Sequence, residues 1–354
     1  MMEGRKYIDA VRTFANYAIV LMHAWAAQTY VTRGTWEYKS WDFICNAVTA
    51  AVMPALFLMS GYLLAKGYEH FSLAWWKEKL TRRVKRLLVP YLAWNALFVG
   101  FYLVASHAVP RLHQRVVAFG LTTWKGAISK VISFMANPID MPTWFMRTLL
   151  VYVLVAVVLA PLLKKRKGVV AYLLLAGWFV FSWQMKWGAR MCFTYPFYSI
   201  LAFTIGMHLS LANKSPFEIF KSRWLAPLAV VGMAGLFLHN IRWHWDYSPV
   251  RDISFLMMMP LMFCLGPTLG RVADKIKCWK FVKDSSFFLY TGHFLFCSMV
   301  LHSLGPLLGF WQGPGKLTFL IVVFCTLGVV VNLSAYWLGK RVLGKVFGVF
   351  DGTL

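Results

Sequence analysis

Thr143-Trp-Phe-Met-Arg-Thr-Leu-Leu-Val-Tyr-Val-Leu-Val-Ala-Val-Val-Leu-Ala-Pro-Leu-Leu163 carries a single charge, Arg147. As a helix, a run of this length crosses the apolar core of a bilayer, which needs about 20 residues. Its backbone groups then bond within the segment, as lipid requires. Outward from it, runs of the same kind fall at 8–30, 42–65, 87–106, 169–185, 193–211, 225–240, 253–270, 285–309 and 317–339. With 143–163 they predict about ten transmembrane helices. Composition agrees: 59% of the 354 residues are hydrophobic and 14% charged, against about 25% charged in soluble domains. So few charges cannot coat a water-facing surface. The expected fold class is all-α, a polytopic integral membrane helical bundle, with residues 1–354 forming one transmembrane domain.

The net charge of +24 suggests nucleic acid until its distribution is read. The basic residues sit in loops between apolar runs, which is the footprint of membrane topology. Of the 37 lysines and arginines, 24 lie in loops on the N-terminal side and 11 in the opposite loops, with Arg12 and Arg147 inside spans. Both termini are therefore expected in the cytoplasm, with membrane lipid and no nucleic acid as a partner. Charges within 8–30 exclude a cleavable signal peptide and make this run the first retained span. In the long 107–142 loop, Gln114–Met135 has helical spacing suited to lying along the outer membrane surface. Cys45, Cys192, Cys264, Cys278, Cys297 and Cys325 are scattered and read as free thiols. The absence of HxxxH, HExxH and CxxC spacings argues against a metal site.

Ionisable residues within a span are costly and mark function by default. The first span holds Asp9, Arg12 and His23. Eleven residues at about 100° each make roughly three turns plus 20°, so Arg12 and His23 share a face, about 16 Å apart along the axis. Asp9 lies on a neighbouring part of that face, placed to pair with Arg12. The ordinary alternatives are an arginine snorkelling to lipid phosphates and a hydrogen-bonded interior histidine. Arg83 and Arg86 stand at the cytoplasmic mouth of the third span, where arginine grips phosphates bidentately. A basic loop end is also what topology alone demands. Ser60 and Gly61 permit close helix approach, with Tyr62 beside them. Trp144 suits an aromatic belt. Arg147, a turn deeper, either snorkels outward or lines a cavity. His293 is a second histidine at membrane depth, while His208 and His302 lack supporting neighbours.

These residues resemble the acyltransferase family 3 membrane proteins. The resemblance runs through Tyr7-Ile-Asp-Ala-Val-Arg12 with its Arg-x10-His spacing to His23, Phe57-Leu-Met-Ser-Gly-Tyr62, and Arg83-x-x-Arg86-Leu-Leu-Val-Pro-Tyr91. It recurs at Trp144-Phe-Met-Arg-Thr-Leu-Leu150 and Phe288-Leu-Tyr-Thr-Gly-His293. It implies that Arg12 and His23 match the family's first-helix pair, and that Arg83 and Arg86 match its third-helix pair. It also implies transfer of an acyl group, acetyl above all, from cytoplasmic acyl-CoA to a hydroxyl of an envelope polysaccharide or glycolipid. Acyl-CoA is then a cosubstrate, with no bound cofactor, and the setting is the bacterial inner membrane. The expected form is the stand-alone one, without a fused hydrolase-like domain. Many relatives keep further membrane carboxylates. Here there are few, Asp9 with Asp42, Asp252 and Asp284 near boundaries, which leaves the partner of His23 open.

His23, with an unperturbed pKa of about 6.5, suits a general base on the acceptor hydroxyl or a nucleophile that carries the acyl group. Ser60, Tyr62 and Arg147 are candidate oxyanion donors. Trp243-His-Trp-Asp-Tyr247 offers aromatic faces for sugar rings, though an interfacial belt has the same composition. The main rival is a transporter or flippase of an anionic or lipid-linked substrate, against which stands the absence of an inverted repeat. A non-catalytic scaffold is the third reading.

Overall fold

The chain is described here from a computed structural model. It covers residues 2–24, 34–70, 72–107, 110–132, 138–164, 168–184, 196–221, 225–243, 249–304 and 315–353. All regular elements among these residues are helical. The first are α1 Met2–Ala24 and α2 Trp36–Ala65. Next come α3 Leu73–Arg83, a π-helical turn Val84–Leu88, and α4 Val89–Ala105 as one continuous rod. Two short helices follow, α5 Pro110–Ala118 and α6 Trp124–Val131. A 3₁₀ turn, Met141–Thr143, leads into α7 Trp144–Lys164, followed by α8 Val169–Gln184 and α9 Phe197–Leu211. The remainder comprises α10 Pro216–Ile219, α11 Leu225–Trp243, α12 Pro249–Met258, α13 Pro260–Lys275, α14 Trp279–Leu304, α15 Lys316–Leu343 and α16 Gly348–Asp351.

Each of the ten expected segments is helical over its described part, 253–270 as the two helices α12 and α13 that part at Met259. Five helical stretches are long and apolar enough to cross a membrane: Trp36–Ala65, Leu73–Ala105, Met141–Lys164, Pro249–Lys275 and Lys316–Asp351. Val169–Val180, Phe197–Leu211 and Pro227–Asn240 are shorter apolar helices. The surface helix expected over Gln114–Met135 is instead α5 and α6, divided at Gly120, whose φ of 70° only glycine adopts without strain. Residues 133–135 lie outside the described residues.

Local chemistry sets the helix starts. Thr35 caps α2, its hydroxyl accepting from Tyr38 N–H at 3.2 Å. Ser72 caps α3 through Trp75 N–H at 3.1 Å. Each cap satisfies a backbone donor that the first turn leaves unpaired.

In lipid, close packing of small residues holds helices together where apolar burial gives little drive. The α2–α9 crossing shows it. A Cβ on Gly61 would run into the Phe203 carbonyl, and one on Gly206 into that of Leu58. This contact anchors the main core, which includes Phe57, Met146, Tyr152 and Phe203. A second cluster joins Trp94, Phe98 and Phe288 to Phe347 near the C-terminus. The chain there folds back, and the Trp94 indole donates to the Phe350 carbonyl at 3.1 Å. Helices α1 and α14 run side by side in parallel, with Asn16 bonded to Ser286 at 3.4 Å and His23 meeting His293 seven residues further along both.

Candidate active site

Two places in the bundle gather the chemistry, one at each end of the α1 face predicted from sequence. At the deeper end, His293 Nε2 lies 2.9 Å from His23 Nδ1, with the rings 4.8 Å apart. His293 is fully buried, and His23 is half-buried. The neighbouring carbonyls fix the protons. A carbonyl oxygen only accepts, so His293 Nδ1, 3.0 Å from Leu289 O, carries hydrogen. In the neutral ring its Nε2 is then an acceptor. His23 Nδ1, between Ile19 O at 3.1 Å and His293 Nε2, is therefore the donor. The basic nitrogen of His23 is its Nε2. The partner left open by the sequence is thus an imidazole rather than a carboxylate.

At the other end lies a cavity of about 510 Å³ lined by Asp9, Arg12, Tyr62, Lys66, Arg86 and Glu218, among others. Arg83 is half-buried beside it, near enough for Arg12 and Arg86 both to bear on its charge. Arg86 sits on the π turn, a distortion that recurs at functional sites. Asp9 was expected to pair with Arg12. Its ion pair is with Lys283 of α14, at 3.7 Å, while its field still reaches Arg12. Lysine reaches it because α14 runs alongside α1 and brings Lys283 to Asp9.

The structure does not gather every residue singled out. Ser60 bonds back to Leu56 O of its own helix at 2.8 Å. Trp144 is half-buried, 5.9 Å from the Phe57 ring. Arg147 is 0% exposed, which excludes snorkelling; burial among α7's neighbours holds it inside the protein. His208 meets the Tyr172 hydroxyl at 3.0 Å, away from the pair. The side chains of His302 and of Trp243-His-Trp-Asp-Tyr247 lie outside the described residues.

Sequence reasoning missed one constellation. Asp140, just before α7, is 0% exposed, as are Asn95 and Thr143. The Asp140 N–H donates to Asn95 Oδ1 at 3.2 Å, and Asn95 Nδ2 donates to Tyr91 O at 2.7 Å and Thr143 Oγ1 at 3.1 Å. Thr143 Oγ1 donates to Asp140 O at 2.7 Å. The Tyr290 hydroxyl donates to the Pro142 carbonyl. These bonds pull a non-helical segment in among α4 and α14, which membrane proteins tolerate only where protein or a cavity surrounds it. Neither carboxyl oxygen of Asp140 has a hydrogen-bond partner among the described residues. The signal in the sequence was Pro138-x-Asp140-x-Pro142, an acid held between two prolines that stiffen the chain.

The histidine pair in the interior and the arginine-lined cavity thus stand about 16 Å apart along one helix of a helical membrane protein. The chain belongs to acyltransferase family 3: the family's acyltransferase-domain model matches residues 5–335. It is also similar to the succinoglycan biosynthesis protein ExoH of Rhizobium meliloti (strain 1021), 29% identical over 179 residues. That match covers 48% of this chain and 46% of the relative, less than half of the relative's own length. No solved structure matches the chain.

Proposed function

We propose that this protein is a membrane O-acyltransferase that moves an acyl group, acetyl in the first instance, from cytoplasmic acyl-CoA to a hydroxyl of an envelope glycan or glycolipid. Family membership supports the reaction class, and the glycan role printed in the relative's name supports the acceptor class. The observation that carries the mechanism is the His23–His293 hydrogen bond, which orients His23 and leaves its Nε2 free to serve as a base. A second ring nitrogen that fixes tautomer and orientation is a recurring device for an active histidine.

In this reading the chain crosses an inner membrane about ten times, with both termini in the cytoplasm. The phosphates of CoA dock on Arg12, Arg83 and Arg86, where guanidinium forks match phosphate oxygens. The pantetheine arm then runs along α1 toward the histidines. His23 Nε2 takes the acceptor's hydroxyl proton as that oxygen attacks the thioester carbonyl. The C–S bond breaks and the proton passes to the departing thiolate, giving an ester and free CoA. In the covalent variant Nε2 itself takes the acyl group before the hydroxyl does.

The test is transfer of radiolabelled acetyl from acetyl-CoA to envelope glycan in membranes containing the His23→Ala variant at normal level. Loss of a general base is expected to slow transfer about 10²–10⁴-fold. Unchanged labelling would return His23 to a packing role. Label held by the enzyme after a quench with donor alone separates the relay from the base.

A further inference from the structure

We infer that Asp140 contacts the acceptor, its carboxyl receiving a hydrogen bond from a sugar hydroxyl next to the one that is acylated. This rests on the acyltransferase reading above and adds the residue that holds the second substrate.

Helical rise places Asp140 near the level of the histidine pair. Arg12 and Arg86 line one cavity and mark a common level. His23 lies about 16 Å further along α1, and Asn95, nine residues beyond Arg86, roughly 13 Å further along α4. Asn95 holds the Asp140 backbone. From α14, Tyr290 reaches the same segment at Pro142 and stands about 4.5 Å, one turn, before His293. The Asp140 carboxyl is close enough for its charge to bear on Tyr290. Three helices thus set this acid at a depth within about one turn of the proposed base.

Its environment argues against a structural duty. The fold bonds the Asp140 backbone at both N–H and C=O yet leaves both side-chain oxygens unused among the described residues. A buried polar group without a partner costs stability, and such costs persist mainly where a ligand repays them. The missing partner is a hydroxyl-type donor reaching the end of the bundle opposite the arginines. An acceptor sugar presents adjacent hydroxyls, so one can bond Asp140 while its neighbour meets His23.

The experiment uses the full chain in nanodiscs, with acetyl-CoA as donor and, as acceptor, envelope polysaccharide extracted from host cells lacking this protein. Asp140→Leu, which fills the space without polarity, is expected to keep or raise the melting temperature. It should leave the KM for acetyl-CoA and the acceptor-free release of CoA unchanged, and raise the acceptor KM about tenfold or more. Asp140→Asn, which keeps a hydrogen-bonding group, should show a smaller rise. An unchanged acceptor KM in Asp140→Leu overturns the inference. So does a lowered melting temperature with donor and acceptor constants worsened together, because that is the mark of a structural acid. Failure of the underlying reading looks different: the unsubstituted protein itself transfers no acetyl, which removes both.

Discussion

At the scale of single residues, the histidine pair makes the sharpest demand. If His293 acts by accepting the His23 Nδ1 proton, the feature that counts is an acceptor at the position of its Nε2. His293→Gln, whose amide reaches that position, should retain more transfer than His293→Ala or His293→Phe. The ordering is checked by initial rates at saturating donor, with protein levels matched. If all three variants fall equally, the pair is packing rather than a proton path. What was legible here divides cleanly. Arg12 and His23 fell on one face because helical phase is a local property of eleven residues. The bond from His23 to His293 joins residues 270 apart in sequence, and no periodicity computes that. Asp140 escaped because it stands just outside a predicted span, where an acid reads as a solvated loop residue. Only tertiary packing buries it.

At the scale of elements, two features carry predictions. The α2–α9 crossing brings backbone against backbone at Gly61 and Gly206. Gly61→Leu must spread the helices, since a carbonyl cannot yield as a flexible side chain does. Overpacking of this kind costs about 1–3 kcal/mol, and the melting temperature in detergent should drop accordingly. Ser60-Gly61 announced this contact in the sequence, but not its partner helix. The π turn Val84–Leu88 was not legible at all, because its residues read as ordinary helix. It holds one residue more than an α-helical path would. The turn already absorbs that residue, so one further alanine inserted between Arg83 and Val84 should turn α3, with Arg83, by about 100° relative to α4. The expected result is a raised acyl-CoA KM with the acceptor KM little changed, measured in the same nanodisc assay. An unaltered donor constant would remove Arg83 from the donor site.

At the scale of the whole molecule, hydropathy located a helix at each of the ten segments because length and apolarity are written directly in composition. The division of the 107–142 loop into α5 and α6 was not written there, since it turns on one glycine. Orientation gives the test at this scale. In a cysteine-free background, a thiol placed at Lys280 should react with an impermeant reagent only in inverted vesicles, and one at Lys125 only in intact cells. Reversed labelling would place the arginine cavity away from the cytoplasmic donor. The rod α1 has a further consequence. It sets both the phase and the distance between Arg12 and His23, and insertions separate the two. One added alanine between them rotates Arg12 by about 100° and adds about 1.5 Å, whereas seven added residues restore the phase to within about 20° but lengthen the rod by roughly 10 Å. The protein would then behave as a gauge for its donor. The seven-residue insertion would still grip the nucleotide end of the thioester while holding its reactive carbon short of the imidazole.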